Sequence, residues 1–218
     1  LDELMMVPVP IFDKKKNVLG YYISFRIGNV LIEEGKAFTG TSASLPFFEF
    51  MNKIGLEALT YDKMVFVPVT DVQLAMDMEN ECEIDRALVV LTLDKNSSLS
   101  PANLHRIWHF KEVGFKIAFH SFNEISDLES FLPYVDYLFC GRSNDILMPV
   151  MRYIKSHGPH VNVIAADIET SREFDTALFY GVEMMQGQFY KYPSHIRYEH
   201  VSPLQLNYIQ LLDQVNRD

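Results

Sequence analysis

Cysteine and basic charge are both scarce in this chain. Of its 218 residues only Cys82 and Cys140 are cysteines. They lie far apart and form no CxxC pair, so they argue against a disulfide framework and fit a reducing cytoplasm, the expected compartment. Lysine and arginine number 19 against 29 aspartates and glutamates, a formal charge of −10. Duplex DNA or an anionic membrane is ordinarily met by a basic face. The longest basic run, Lys14-Lys15-Lys16, falls where a hairpin turn is expected and reads as a solvated turn. Neither nucleic acid nor membrane is therefore an expected partner. No apolar run approaches the 18 or so residues that span a bilayer. Leu1-Asp2-Glu3-Leu4 lacks the basic region and apolar stretch of a signal peptide, and a start at Leu reads as that of a trimmed chain. No strand is followed by GxGxxG or a Walker loop, and neither an internal repeat nor a low-complexity linker occurs before about residue 194.

What is present is an alternation of short β-rich runs with helical patterns, which argues for a mainly parallel sheet. The expected strands are Met5–Phe12, Val18–Arg26, Met64–Val69, Ala87–Leu93, Phe115–His120, Asp136–Cys140, Val161–Ala166 and Glu183–Phe189. The first two flank a polar turn at Asp13–Asn17 and read as an antiparallel hairpin. Between the others lie helices with clear punctuation. Ser100 caps a helix with Pro101 at its first position, Leu104, Ile107 and Trp108 on one face, and Gly114 after its end. Ser126 with Glu129, and Thr170 with Glu173, have capping-box spacing. Leu147, Val150, Met151 and Ile154 mark a buried stripe whose Pro149 is tolerable only near the first turn. The fold class expected is α/β: a (β/α)8 TIM-like barrel with an antiparallel first strand. An open doubly wound sheet is the alternative.

Chemistry in such a barrel belongs at the C-terminal strand ends, and there the sequence resembles the EAL domains, cyclic-di-GMP phosphodiesterases. Ile11-Phe12-Asp13 with Val18–Arg26 resembles their opening hairpin, and Gly114–Asn123 their central strand and metal-binding loop. Val163–Thr170 resembles their late acidic strand, and Gln186-Gly187 through Pro193 their closing QGxxxxxP signature. The matches occur in order across nearly all of residues 5–194. The resemblance implies a barrel that hydrolyses cyclic-di-GMP with two Mg²⁺ or Mn²⁺ ions, which need clustered carboxylates, together with a lysine and further acids to manage protons.

The residues at those positions differ. The EAL glutamate falls on Tyr22, the metal-binding asparagine on Pro68, the next glutamate on Leu91, and the paired aspartates on His120 and Ser121. The lysine and aspartate of KxD fall on Phe139 and Gly141, and the glutamate inside AEGVE on Ala166. Arg26, Asp94, Glu169 and Gln186 survive as relic ligand positions: a phosphate-binding arginine, a second acid, the last acid of AEGVE and the QG glutamine. One arginine, two acids and a glutamine cannot hold two divalent cations. No catalytic residue, metal or cofactor is therefore expected, and cyclic-di-GMP binding is not expected either.

Sharper readings compete with bland ones at a few positions. His120, beside Ser121 and Asn123, is either a transition-metal ligand or a hydrogen-bonded histidine of the relic cleft. His105 and His109 have the spacing of HExxH, but Arg106 holds the glutamate position, so a solvent-facing helix side is expected. Cys140 reads as a buried thiol rather than a nucleophile. Arg26 is open between a phosphate role and an ion pair with Asp94 or Glu169. Residues 1–194 are expected to form a degenerate EAL barrel. Residues 195–218 are expected to form a C-terminal linker helix, capped by Ser202 and apolar at Leu204, Tyr208, Leu211, Leu212 and Val215. The junction resembles that of EAL–HDOD signalling proteins. The expected function is an inactive signal-transduction domain that docks a protein partner or a neighbouring HDOD-like domain, the alternative being a non-hydrolysing cyclic-di-GMP sensor.

Overall fold

A computed structural model describes residues 4–27, 30–31, 63–81, 85–94, 96–120, 122, 124–187 and 189. The expectations for residues 195–218 and for Ser121 lie outside them. The strands are β1 (Leu4–Asp13), β2 (Val18–Ile27), β3 (Val30–Leu31), β4 (Met64–Pro68), β5 (Val89–Asp94), β6 (Lys116–His120), β7 (Tyr137–Gly141), β8 (Asn162–Ile168) and β9 (Met184–Gly187). From β2 and β4 through β9 every neighbour runs parallel, while β1 pairs antiparallel with both β2 and β9 and closes the ring. The result is an eight-stranded closed barrel, with the two-residue β3 attached to the outer end of β2. The expected hairpin turn is in place: the Asp13 carboxylate accepts from the amides of Lys15 and Asn17, and Lys16 takes the left-handed conformation with φ 67°.

The helices are α1 (Asp71–Leu74), α2 (Met78–Glu81), α3 (Pro101–Glu112), α4 (Ile125–Phe131), α5 (Asn144–His157) and α6 (Ser171–Phe179), with a 3₁₀ turn at Arg86–Leu88. Ser100 caps α3 through the Asn103 amide, and Thr170 and Glu173 form a reciprocal capping box on α6. Thr70 and Gln73 build a second such box on α1 that the sequence reading passed over. At α4 the expected box is absent. The helix already includes Ile125, so Ser126 lies within its first turn and its hydroxyl donates to Glu124 instead. Pro149 sits inside α5, one turn further along than expected. On α3 the buried residues are Ile107 and Phe110; Trp108 is 54% exposed, edge-on to Tyr134.

Strand alternation divides the core in two. Residues such as Val67, Leu91, Phe119, Leu138 and Ala165 point outward and pack under the helices. Ile11, Tyr22, Phe66, Val90, Ala118, Tyr137, Phe139, Ile164, Ala166 and Met184 fill the barrel itself. Along β4–β9 both faces are thus buried over most of their length, as a parallel barrel requires.

An ion-pair network fixes α1 and α2 to α3. The buried Glu79 carboxylate accepts from Arg106 at 3.0 and 3.2 Å and lies 3.0 Å from His109 Nε2, while Arg106 also donates to the carbonyls of Leu74 and Met76. His109 therefore faces a buried acid rather than solvent alone; His105 is exposed.

Closure of the ring leaves no room for a side chain at Gly187. This residue has φ +154°, and a Cβ there would collide with the backbone of Ile168, its register partner on β8. Gly187→Ala is expected to destabilise the protein by about 1–3 kcal/mol, read as a lower midpoint in urea with an unchanged slope. An unchanged midpoint would mean that the β8–β9 seam can shift.

Candidate functional site

Inward side chains of such barrels stack in layers of four, drawn from alternate strands. Because the strands tilt, residues at one height stand one place beyond their register partners. Starting at Tyr22, which pairs with Phe66, that step leads through Val67, Thr92, Phe119, Phe139, Ala165, Gln186 and Pro10, and from Pro10 back to Tyr22. Alternate members face inward, so one layer is Tyr22, Thr92, Phe139 and Gln186, all buried. The layer beneath is Ile11, Phe66, Ala118 and Ile164, every one in the inner cluster. The layer above, toward the C-terminal mouth, is Val9, Pro68, His120 and Ala166, and beyond it come Ser24, Asp94 and Gly141.

The positions singled out in the sequence therefore gather at the mouth. Tyr22, Phe139 and Gln186 share one layer; Pro68, His120 and Ala166 share the next; Asp94 and Gly141 stand at the rim. Leu91 is the exception. It points outward into the cluster beneath the helices, so it cannot fill the mouth, and the inward residue at that height is Thr92. The sequence reading missed Thr92 because the run Val89–Leu93 is buried throughout and shows no polar alternation to reveal its face. Arg26 lies on β2, and its side chain is outside the described residues.

Aromatic rings occupy the space between the layers. Tyr22 reaches from β2 to stack on His120 of β6, with ring centroids 5.4 Å apart and planes inclined by 21°. Phe139 meets Tyr22 edge-on at 5.4 Å, Phe66 at 5.4 Å and His120 at 4.9 Å. The acids that survive are engaged elsewhere. Asp94 closes its own loop, accepting from the Asn96 amide at 2.8 Å and its side-chain amide at 3.2 Å. Glu169 sits 66% exposed on the rim and binds Arg142 at 2.7 Å. Arg142, directly after β7, also donates to the Asp167 carbonyl at 2.6 Å and lies 3.4 Å from Glu173, so it ties the ends of β7 and β8 to α6. Sequence reasoning overlooked it because no motif marks a lone arginine after a strand. The partner found for Glu169 is Arg142. Cys140 faces outward, fully buried, and burial pushes its thiol up to about 12, which leaves it an inert core residue at pH 7.

A pair of hard divalent cations needs converging carboxylates. The two inner mouth layers offer a phenol, a hydroxyl, an amide, an imidazole, two aliphatic side chains, a phenyl ring and a proline, none of them anionic. Among the described residues no three His, Cys, Asp or Glu side chains are placed to hold a metal ion. Among the described residues the donor set does not fit a pair of hard divalent cations. Among the same residues no helix is long and apolar enough to cross a membrane. A cavity of about 740 Å³ lies at the opposite end of the barrel, between α5 and α6, with Met148, Met151, Ile154, Phe179 and Met184 among the residues that line it.

The chain matches no family model. It is 24% identical over 215 residues, 96% of its length, to the Uncharacterized protein YuxH of Bacillus subtilis (strain 168), of which it spans 52%. Among solved structures it superposes on the PaMucR phosphodiesterase in complex with c-di-GMP with a TM-score of 0.68 at 14% identity, covering 87% of this chain and 96% of that one. It superposes on the Bacillus subtilis YkuI protein, which has an EAL domain and was solved with c-di-GMP and calcium, with a TM-score of 0.65 at 18% identity, covering 98% and 62%. At such identities the likeness establishes the fold: this chain is a (β/α)8 barrel of the EAL type.

Proposed function

We propose that this domain is a catalytically inactive, EAL-like signal-transduction domain that acts by binding a protein partner, a neighbouring HDOD-like domain being the natural candidate. One observation carries the reading: the mouth is filled by the Tyr22, His120 and Phe139 rings where phosphodiesterase chemistry needs carboxylates and a lysine. Cleaving a phosphodiester with a metal-activated water requires the metal, and among the described residues the two inner mouth layers offer nothing anionic to hold it. What stays available is surface. Phe179, 85% exposed, lines the cleft between α5 and α6, where Met148 and Met151 lie beside Arg152, Lys155 and Glu183, and mixed apolar and charged surface of that kind suits a protein partner. A second reading, a sensor that binds cyclic-di-GMP without cutting it, draws on the c-di-GMP complexes of PaMucR and YkuI and on Gln186 in the mouth layer.

Incubation of the purified domain with cyclic-di-GMP and Mg²⁺ or Mn²⁺ is expected to yield no linear dinucleotide by chromatography, and calorimetry no binding heat. Steady product formation that falls with Gln186→Ala would overturn the inactive reading. Binding without turnover would decide for the sensor.

A further inference from the structure

We infer that the mouth layer is a binding site for one buried water molecule, held by Tyr22 Oη, Thr92 Oγ1 and Gln186 Oε1. These side chains belong to residues only 5%, 2% and 6% exposed. Each of the three oxygens is fully buried without a hydrogen-bond partner among the described residues. They are not scattered: the register puts all three in one layer of four, with Phe139 as the fourth member. Tyr22 crosses the barrel to stack on His120, whose strand pairs with that of Thr92, so its phenol tip is carried toward the Thr92 side. A buried polar atom left unpaired costs about 1–3 kcal/mol, and three in one layer would burden a single barrel heavily.

The chemistry of the three atoms complements water. Two hydroxyls can donate and one amide oxygen can only accept. A water accepting from Tyr22 and Thr92 and donating to Gln186 makes three hydrogen bonds, the usual number for an internal water. A cation is disfavoured because every ligand would be neutral and no carboxylate belongs to the layer. The packed rings of Tyr22 and Phe139, 5.4 Å apart, narrow the layer and favour a ligand as small as water.

A crystal structure of the domain at a resolution that shows ordered solvent tests this directly. The expected result is one peak within roughly 2.7–3.2 Å of all three oxygens. The variants Tyr22→Phe, Thr92→Val and Gln186→Met supply an independent readout, since each keeps its bulk and removes one partner. Each single change is expected to lower Tm by about 2–4 °C, and the triple variant to lose less than the sum, because a layer without polar groups needs no water. A dry layer, a peak that behaves as a cation, or single variants that each raise Tm additively would overturn the assignment. Should a variant fail to fold, the solvent peak in the parent protein decides.

Discussion

Replacing Phe139 with lysine, the residue that the EAL domains it resembles would carry there, is expected to unfold the barrel or to lower its Tm by on the order of 10 °C. The ring is 2% exposed and touches Tyr22, Phe66 and His120. Truncating a buried phenylalanine typically costs about 3–5 kcal/mol. Lysine adds an ammonium in a layer that contains no carboxylate to pair with it. Phe139→Leu keeps that position apolar and should cost distinctly less. Urea denaturation of the two variants separates volume from charge. If Phe139→Lys were as stable as the parent, the mouth would be hydrated and open, and the reading of a filled relic would fail.

Glu79→Ala is the second large effect, expected to cost about 3 kcal/mol by chemical denaturation. The Glu79 side chain is 8% exposed and that of Arg106 20%, so removing the acid leaves a largely buried guanidinium with two backbone carbonyls and the exposed Asp77 carboxylate, 3.9 Å away, as its partners. The pair has a pH signature. Burial pushes the Glu79 carboxyl up, but the hydrogen bonds and charge of Arg106, with help from His109, outweigh it and hold the group below its ordinary value. A depressed folded-state value means that the carboxylate's contribution is complete above the ordinary glutamate value of about 4.3 and is lost as pH falls below it. The parent should therefore lose stability on acidification through that window more steeply than Glu79→Gln. Parallel pH profiles would show that the network contributes nothing.

The fold was readable because its signals are local. Turn chemistry at Asp13–Asn17, the Ser100-Pro101 start and the Thr170–Glu173 box each specify one junction without reference to distant residues. Ser126 and Glu129 show the limit: the spacing is right, but a helix that starts at Ile125 leaves the serine nothing to cap. The site was legible by position and not by face. Tyr22, His120 and Phe139 were traced to the mouth through ordered resemblance, whereas Leu91 was assigned to it although strand alternation turns it outward. A strand buried on both sides carries no polar mark of its orientation, and only register around the closed ring identifies Thr92 as the inward residue. Arg142 and the Glu79–Arg106 pair depend on contacts between separate elements, which no spacing rule anticipates.

The single tryptophan of the chain, Trp108, has a use as an optical reporter. It stands half-exposed on the outer wall beside Tyr134, away from the mouth. Its emission in the folded protein should already lie close to that of hydrated indole, so unfolding changes its colour little and a ligand entering the barrel leaves it silent. A protein that covers α3 and the end of α4 would dehydrate the ring and shift its emission to shorter wavelength. The fluorescence of this domain therefore watches its flank, and a titration with any partner distinguishes docking there from docking at either end of the barrel.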